Sequence, residues 1–286
     1  MTATTSTTTT SPAPRRSHPA RLPGTLALGV ERARYELRVF FRERDAVVFI
    51  FAYPVIMMAI FAAVFGQDGA TVQAGGVDIP FAQYFLPGMI ATGVVLSSFQ
   101  SLAISISVER DEGGLKRLRG TPLPAAAYFL GKIGQVLGTQ LVQTTILLAV
   151  AVALFDVTLP DTAGDWLTFA WVYLLGTAAG AVCGVAFSSV PRSGRSASAV
   201  VTPIVLVLQF ISGVFFQWDS LPGWMQQVAS VFPLRWLVEG MQAVFLPEAV
   251  AGDAELVTTA AVLTAWLVVG LVVGVRFFRW RRRDDG

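Results

Sequence analysis

Six long apolar stretches constrain the fold of this chain more than any other feature of its sequence. Each is largely uncharged and is long enough to cross the hydrocarbon layer of a bilayer, which takes about 20 helical residues. They are expected at about 46–66, 84–108, 127–155, 166–190, 196–217 and 256–276. With 54% hydrophobic and 14% charged residues, the chain is too apolar for a soluble domain of this size. These stretches lack the alternating pattern of barrel strands, so the prediction is an all-α polytopic membrane protein.

The charge distribution predicts the orientation of the six spans. Basic residues concentrate before the first span, in the second and fourth connectors and after the last span, and Lys132 is grouped here with the second connector. Acidic residues dominate the first, third and fifth connectors. Because Lys and Arg are retained in the cytoplasm, both termini are expected there, in a multi-pass protein of the cell (plasma) membrane. The basic residues are interpreted as topology signals and lipid headgroup partners, with no nucleic acid as a partner.

The segments outside the spans fall into three kinds. Residues 1–24 are rich in Thr, Ser, Pro and Ala, a composition typical of a disordered tail, and residues 279–286 form a basic cytoplasmic tail. Residues 25–45 show apolar side chains at helical spacing, which predicts an amphipathic helix lying in the membrane interface. Packing of this helix on a soluble partner is the alternative. Its apolar face comprises Leu26, Val30, Ala33, Leu37, Phe40 and Phe41.

The sequence offers little chemistry for an enzyme acting alone. The single histidine, His18, lies in the tail, and the single cysteine, Cys183, lies in the middle of the fourth span. Neither a phosphate-binding GxxxxGK[ST] sequence nor a metal-ligand cluster is present. No span carries an acidic residue near its centre, which disfavours an ion-coupled transporter. We therefore expect no catalytic residue, no metal and no cofactor bound by this chain.

The second connector, ERDEGGLKRLRGTPL at 109–123, stands out as a candidate surface for a partner. Gly113 and Gly114 permit a sharp turn, since neither has a Cβ. Leu115 and Leu118, three residues apart, would share one face of a short helix that Thr121 and Pro122 end. A plain loop that only sets topology is the alternative.

This connector resembles that of the type-2 ABC transporter permeases, E-R-E-x-G-T-L-x-x-L-x-x-T-P-L. Gly114 and the additional acid Asp111 depart from the pattern. A second block, ISGVFFQWDSLPGWMQQVASVFPLRWLVEGMQAVF, is similar to the segment that precedes the last span in that family, with Gln217 where proline is frequent. Leu123 matches the last position of the pattern. The resemblance implies that the connector couples the chain to an ATPase through Glu109, Arg110, Glu112, Gly113, Gly114, Leu115, Leu118, Thr121 and Pro122, of which all but Gly114 match the pattern.

The resemblance implies a transmembrane domain over 46–278, with short re-entrant helices on the outer side within 218–246. It further implies a permease subunit that works with a second permease copy, identical or homologous, and with separate ABC ATPase subunits that bind ATP and magnesium. The compact size is similar to exporters of the daunorubicin-resistance type, which would export a hydrophobic or amphipathic drug. The alternatives are a glycan or lipid-linked polymer exporter of the same family and a membrane scaffold or binding protein that does not transport.

Two further sets of residues are singled out within the spans. Glycines at four-residue spacing predict close helix packing, at Gly176, Gly180, Gly184, Gly270 and Gly274. Polar side chains mark a possible substrate path, at Gln135, Thr139, Gln143, Thr202 and Gln209. A third pattern, Ser97, Ser101 and Ser105, recurs every four residues and is interpreted as packing.

The predicted topology can be tested with alkaline phosphatase, which is active only outside the cytoplasm. A fusion after residue 286 should be inactive and a fusion near Asp161 active, because the basic residues hold both termini inside. Activity is measured per amount of inserted fusion protein. An active fusion at residue 286 would contradict the orientation.

Overall fold

In the computed structural model, the described residues are 23–65, 71–74, 76–251 and 254–278. The predicted tail at 279–286, and all but the last two residues of the tail at 1–24, lie outside the described residues. So do Asp68 and Asp253, two of the acidic residues behind the predicted orientation.

Six helices among the described residues are long and apolar enough to cross a membrane, which confirms the predicted fold class. The fifth ends earlier than expected because Ser212 and Gly213, the latter with φ +80°, turn the chain. The second carries one π-helical turn, Leu96–Gln100, between α3 and α4. The spans are α2 (Arg44–Phe65), α3 with α4 (Phe81–Val95 and Ser101–Asp111), α6 (Ala125–Phe155), α7 (Ala163–Phe187), α8 (Gly194–Ile211) and α12 (Leu256–Phe277).

Shorter elements connect the spans. A helix α1 (Thr25–Arg42) precedes α2, and a hairpin of β1 (Thr71–Ala74) and β2 (Val77–Pro80) precedes α3. The segment predicted as re-entrant holds a 3-10 turn (Trp218–Ser220), α9 (Gly223–Val231) and α10 (Pro233–Phe245). The remaining helices are α5 (Gly114–Arg119) and α11 (Glu248–Ala251). We call the end of the bundle that carries 109–124 and 188–193 the connector end.

The second span is the centre of the bundle. Every residue from Ala82 to Val95 is buried, and α2, α6, α7 and α10 all pack against this helix. At the far end from the connectors, the buried Gln83 side chain donates to the carbonyl oxygen of Phe245 at 2.7 Å and accepts from the Thr158 amide at 2.8 Å. The outer spans, by contrast, present wide apolar faces. In the most apolar part of α2, only 11% of the residues are buried.

Helix α1 packs along α6, and three glycines of α6 make this close approach possible. A Cβ added to Gly134 would lie 2.6 Å from the Cβ of Ala33, and one added to Gly138 would lie 3.0 Å from Leu37. Part of the apolar face that the sequence assigns to the membrane interface is thus covered by protein. Leu26, Val30 and Phe41 stay exposed, so placement of this remaining face in the membrane interface stays a prediction.

The predicted packing glycines of α7 lie against two different elements. Gly180 and Gly184 face the π turn, where a Cβ on Gly184 would lie 2.6 Å from the carbonyl oxygen of Phe99. Gly176 instead faces Leu237 of α10. On α12, a Cβ added to Gly270 would lie 3.0 Å from the sulfur of Cys183, whereas Gly274 has space, with Ala186 4.0 Å away.

Substitution of the α7 glycines should separate α7 from the second span. In Gly184→Ala the added methyl group meets backbone, which cannot move aside, so we expect a loss of about 1–3 kcal/mol in stability. Gly274→Ala is the matched control and should cost little. The thermal stability of the two purified variants in detergent is the measurement, and equal midpoints would contradict the assigned contact.

Candidate functional site

The connector of 109–123 folds into a tight turn followed by α5. Helix α4 continues to Asp111, and Gly113 then takes a left-handed conformation with φ +75°. Non-glycine residues rarely adopt that conformation, so the glycine is required by the backbone. Helix α5 ends at Arg119, and the Thr121 hydroxyl donates to the carbonyl oxygen of Leu118 at 2.7 Å.

Leu115 points into the protein and not toward a partner. Its side chain is fully buried in a cluster with Leu102 and Ile106 of the second span and Tyr128 of α6. Leu115 and Leu118 do share one face of the short helix, but this face packs on the chain's own helices, so any contribution of Leu115 to coupling is made from inside the protein. Leu115 fastens α5 to the spans, and Leu118 is half-buried beside it.

A group of four charges, two of them buried and two partly buried, joins α1, the connector and α6. The Lys132 ammonium lies between two carboxylates, 2.9 Å from Glu36 Oε2 and in direct contact with Glu109. Arg32 pairs with Glu36 from one turn away, and the Tyr128 hydroxyl donates to Glu109 Oε2 at 2.9 Å. With two acidic and two basic side chains, the group has a formal net charge of zero. We call Arg32, Glu36, Glu109 and Lys132 the charge clamp.

The next two residues of the connector attach it to the loop between α7 and α8. The Arg110 guanidinium is buried and donates to the backbone carbonyl of Ser188. The Asp111 carboxylate accepts from the Gly194 amide at 3.2 Å, at the first residue of α8, where an acid also suits the helix dipole. Three of the four charges in Glu109–Glu112 thus act within the chain.

The outer surface of the connector is basic and polar. Glu112, Lys116, Arg117, Arg119, Thr121 and Pro122 are exposed there. This face, and not the buried leucine or the first three charges, is what the connector offers to another protein.

A cavity of about 870 Å³ opens beside the charge clamp, between α1, α2, the second span and α6. Of the five polar residues predicted along a substrate path, Gln135 lines it. Thr139 donates to carbonyl oxygens of its own helix, and Thr202 lies on an exposed face of α8. Gln143 bonds Ser97 and the Ile50 carbonyl, and Gln209 accepts from the Tyr53 hydroxyl at 3.1 Å. The predicted path is therefore not one continuous surface.

At the end opposite the connectors, Arg235 lies in a partly enclosed aromatic setting. Its guanidinium is 3.9 Å from the centre of the Trp218 ring and 2.8 Å from Glu239. Burial lowers the pKa of Arg235 from its ordinary value, and the carboxylate of Glu239 opposes that shift. Within the part of the chain that the structure describes, no group of three or more His, Cys, Asp and Glu residues is placed to hold a metal ion.

Comparison with known protein families identifies the family of this chain. A family model described as ABC-2 type transporter matches residues 33–246, well over half of the chain. The chain belongs to the ABC-2 type transporter family. It is an ABC-2 permease, a multi-pass plasma membrane protein of a family that works with an ATPase subunit.

Several curated relatives of this permease are similar over long stretches. The inner membrane transport permease YadH of Escherichia coli (strain K12) is 24% identical over 215 residues, which cover 75% of this chain and 81% of the relative. The probable multidrug ABC transporter permeases YbhR and YbhS of the same strain are 22% and 24% identical. Those alignments cover 60% and 71% of this chain, and 46% and 52% of the relatives.

Sequence reasoning missed the two inner members of the charge clamp in this permease. Lys132 was grouped with connector residues that set topology, but the structure places it seven residues into α6 and buries it almost completely. A lysine inside an apolar helix needs a counter-charge, which is a signal that could have been used. Its partner Glu36 lies 96 residues away in α1, and nothing in the sequence pairs the two.

Removal of the lysine should destabilise this end of the permease strongly. Lys132→Met leaves the buried carboxylate of Glu36 and the partly buried carboxylate of Glu109 without their shared counter-charge, and we expect a loss of about 3 kcal/mol. The control is Arg34→Met, which breaks the exposed Arg34–Glu31 pair and should cost under about 1 kcal/mol. Thermal midpoints and the yield of monodisperse protein are compared, and a Lys132→Met midpoint equal to that of the control would show that the clamp contributes no stability.

Proposed function

We propose that this permease exports a hydrophobic or amphipathic small molecule with energy from ATP hydrolysed in a separate ATPase subunit. In this proposal the chain has no ATPase site of its own, and ATP and magnesium bind to the partner. A second copy of the permease completes the membrane unit, and the connector end faces the cytoplasm. The role in the cell would be drug efflux and antibiotic resistance.

The charge clamp is the observation that carries the proposal. A force that a partner applies to α1 or to the connector reaches α6 directly, because Lys132 is held by Glu36 of α1 and by Glu109, which lies in α4 at the start of the connector. The same force reaches α7 and α8 through Arg110 and Asp111, which bond the loop between them. Displacement of this connector would therefore move α6, α7 and α8 together with the second span, from which the connector continues.

The exposed face of α5 supports a docking role for the connector. Its basic side chains stand next to Thr121 and Pro122, and all are accessible at the end of the bundle. Charge complementarity then requires an acidic surface on the ATPase. Gly113 and Leu115 contribute indirectly, since the first makes the turn and the second fixes α5 against the spans.

Two observations support a small molecule as cargo over a glycan or a lipid-linked polymer. The cavity beside the clamp has the volume of a site for one drug-sized molecule. Two of the relatives are named as probable multidrug permeases, although the alignments cover only about half of each. The external connectors are short and add no carbohydrate-binding module among the described residues.

Charge reversal on α5 tests the coupling. Arg119→Glu should weaken capture of the ATPase by about tenfold and reduce ATP-dependent efflux, because it repels an acidic docking surface while leaving the buried contacts intact. The permease and its ATPase are co-expressed, and membrane abundance, ATPase co-purification at low and high salt, and efflux of a fluorescent amphiphile are measured in the same cells.

The control is Arg276→Glu, an equal charge change at the exposed end of α12. It should leave capture and efflux near wild type. Leu115→Asp, in contrast, should lower the amount of folded permease itself, because the carboxylate would be buried inside the chain. If Arg119→Glu retains full capture and efflux, the connector does not dock the ATPase through this face.

A further inference from the structure

We propose that the cavity beside the charge clamp binds a cationic amphiphile that carries N–H donors, and that Gln135 and Ser105 accept its hydrogen bonds. This inference rests on the proposed export function and names the chemical class of the cargo and its site within one permease chain. It concerns a half-open space lined by α1, α2, the second span, α5 and α6 of a single copy.

The cavity has an apolar region and a charged region. Phe49, Ile50 and Tyr53 of α2 face Leu96 and Ile104 of the second span, and together they form a wall of aromatic and aliphatic groups. The charge clamp lines the part nearer the connector end. Such a division suits a molecule with an apolar body and a polar head.

Besides Arg32 Nε and Glu36 Oε1 of the charge clamp, two buried polar side-chain atoms of residues that line this cavity make no hydrogen bond within the described part of the chain. The side-chain oxygen of Gln135 and the hydroxyl of Ser105 are buried and receive or make no hydrogen bond with any of the described residues. Gln135 as a whole is more than nine-tenths buried. Leaving buried polar atoms unpaired is costly, so such atoms in a cavity wall indicate groups that a ligand satisfies. An amide oxygen only accepts, which selects a ligand with a donor.

The charges around the cavity favour a cation over an anion. Within the clamp, acids and bases balance, and the remaining charged lining residues are Glu43, Glu112 and Arg117. Four carboxylates therefore face three cationic side chains, a formal excess of one negative charge. Phe49 and Tyr53 also line the cavity, and aromatic rings of this kind attract cations.

Binding can be measured on the full-length permease in complex with its ATPase, without nucleotide, in lipid nanodiscs. The probes are rhodamine 6G, a cation with two N–H groups, and tetraphenylphosphonium, a cation with none. Gln135→Leu should weaken rhodamine 6G binding about threefold to tenfold and leave tetraphenylphosphonium unchanged, since only the first probe loses a hydrogen bond. Ser105→Ala should act in the same direction with a smaller effect.

A second pair of variants tests whether the probes occupy this space. Ser105→Phe places a ring in the cavity and should reduce binding of both probes more than tenfold. Thr145→Phe and Thr145→Leu are matched controls, because Thr145 lies on the exposed face of the same helix as Gln135 and outside the cavity. They should bind both probes as the wild type does.

The possible results test the proposed binding site and the proposed export function separately. Unchanged rhodamine 6G affinity in Gln135→Leu and Ser105→Phe overturns the proposed site, and so does the absence of saturable binding to the wild type. If Ser105→Phe does not fold, Gln135→Leu and Ser105→Ala decide between these outcomes. The expected binding pattern without ATP-dependent rhodamine 6G transport in proteoliposomes supports the site and rejects the export function.

Discussion

A lysine ammonium held between two carboxylates is the interaction on which the connector end of this permease depends. Glu36, Glu109 and Lys132 come from three segments that are distant in sequence, and their pairing fixes the relative position of α1, the connector and α6. Removing three charges from water is expensive, and good geometry recovers only part of that cost. What the ion pairs contribute is a defined relative position of α1, the connector and α6. An apolar contact of equal area would tolerate sliding of one helix along another, whereas a central cation with a carboxylate on either side has one arrangement.

In the rest of the bundle, close backbone contacts, and not charges, fix the helices relative to one another. Inside a bilayer the lipid is as apolar as the side chains, so helices associate through tight packing and hydrogen bonds between them. Glycines of α6 admit α1, and glycines of α7 admit the π turn of the second span. Amides of Gln140 and Gln143 then bond backbone carbonyl oxygens of neighbouring spans. The central position of the second span follows from these contacts, because its small and polar residues meet partners on several sides.

The number of spans, their approximate limits and the short connector helix could all be predicted from the sequence, because length, hydropathy and the positions of glycine and proline determine them locally. The direction in which Leu115 points could not be predicted. A leucine on a short exposed helix has two possible apolar partners, the chain itself or another protein, and only the packed structure chooses. The role of Lys132 was missed for a related reason, since its counter-charges are 23 and 96 residues away. The packing partner of α1 depended on glycines of α6 that no predicted motif included.

The π turn at Leu96–Gln100 changes what the serine pattern of the second span means. Hydrogen bonds from each residue to the fifth before it accommodate one residue more than an α-helical turn, so the faces above and below the turn are out of phase. Ser97 accordingly bonds Gln143 in the core, while Ser101 and Ser105, at the same nominal spacing, line the cavity. A chain shortened by one residue at this turn would restore the α-helical phase and rotate everything below it. The serines would leave the cavity wall, and Arg110 would swing away from the loop it bonds. The positions of Ser101, Ser105 and Arg110 therefore depend on the exact number of residues in this span.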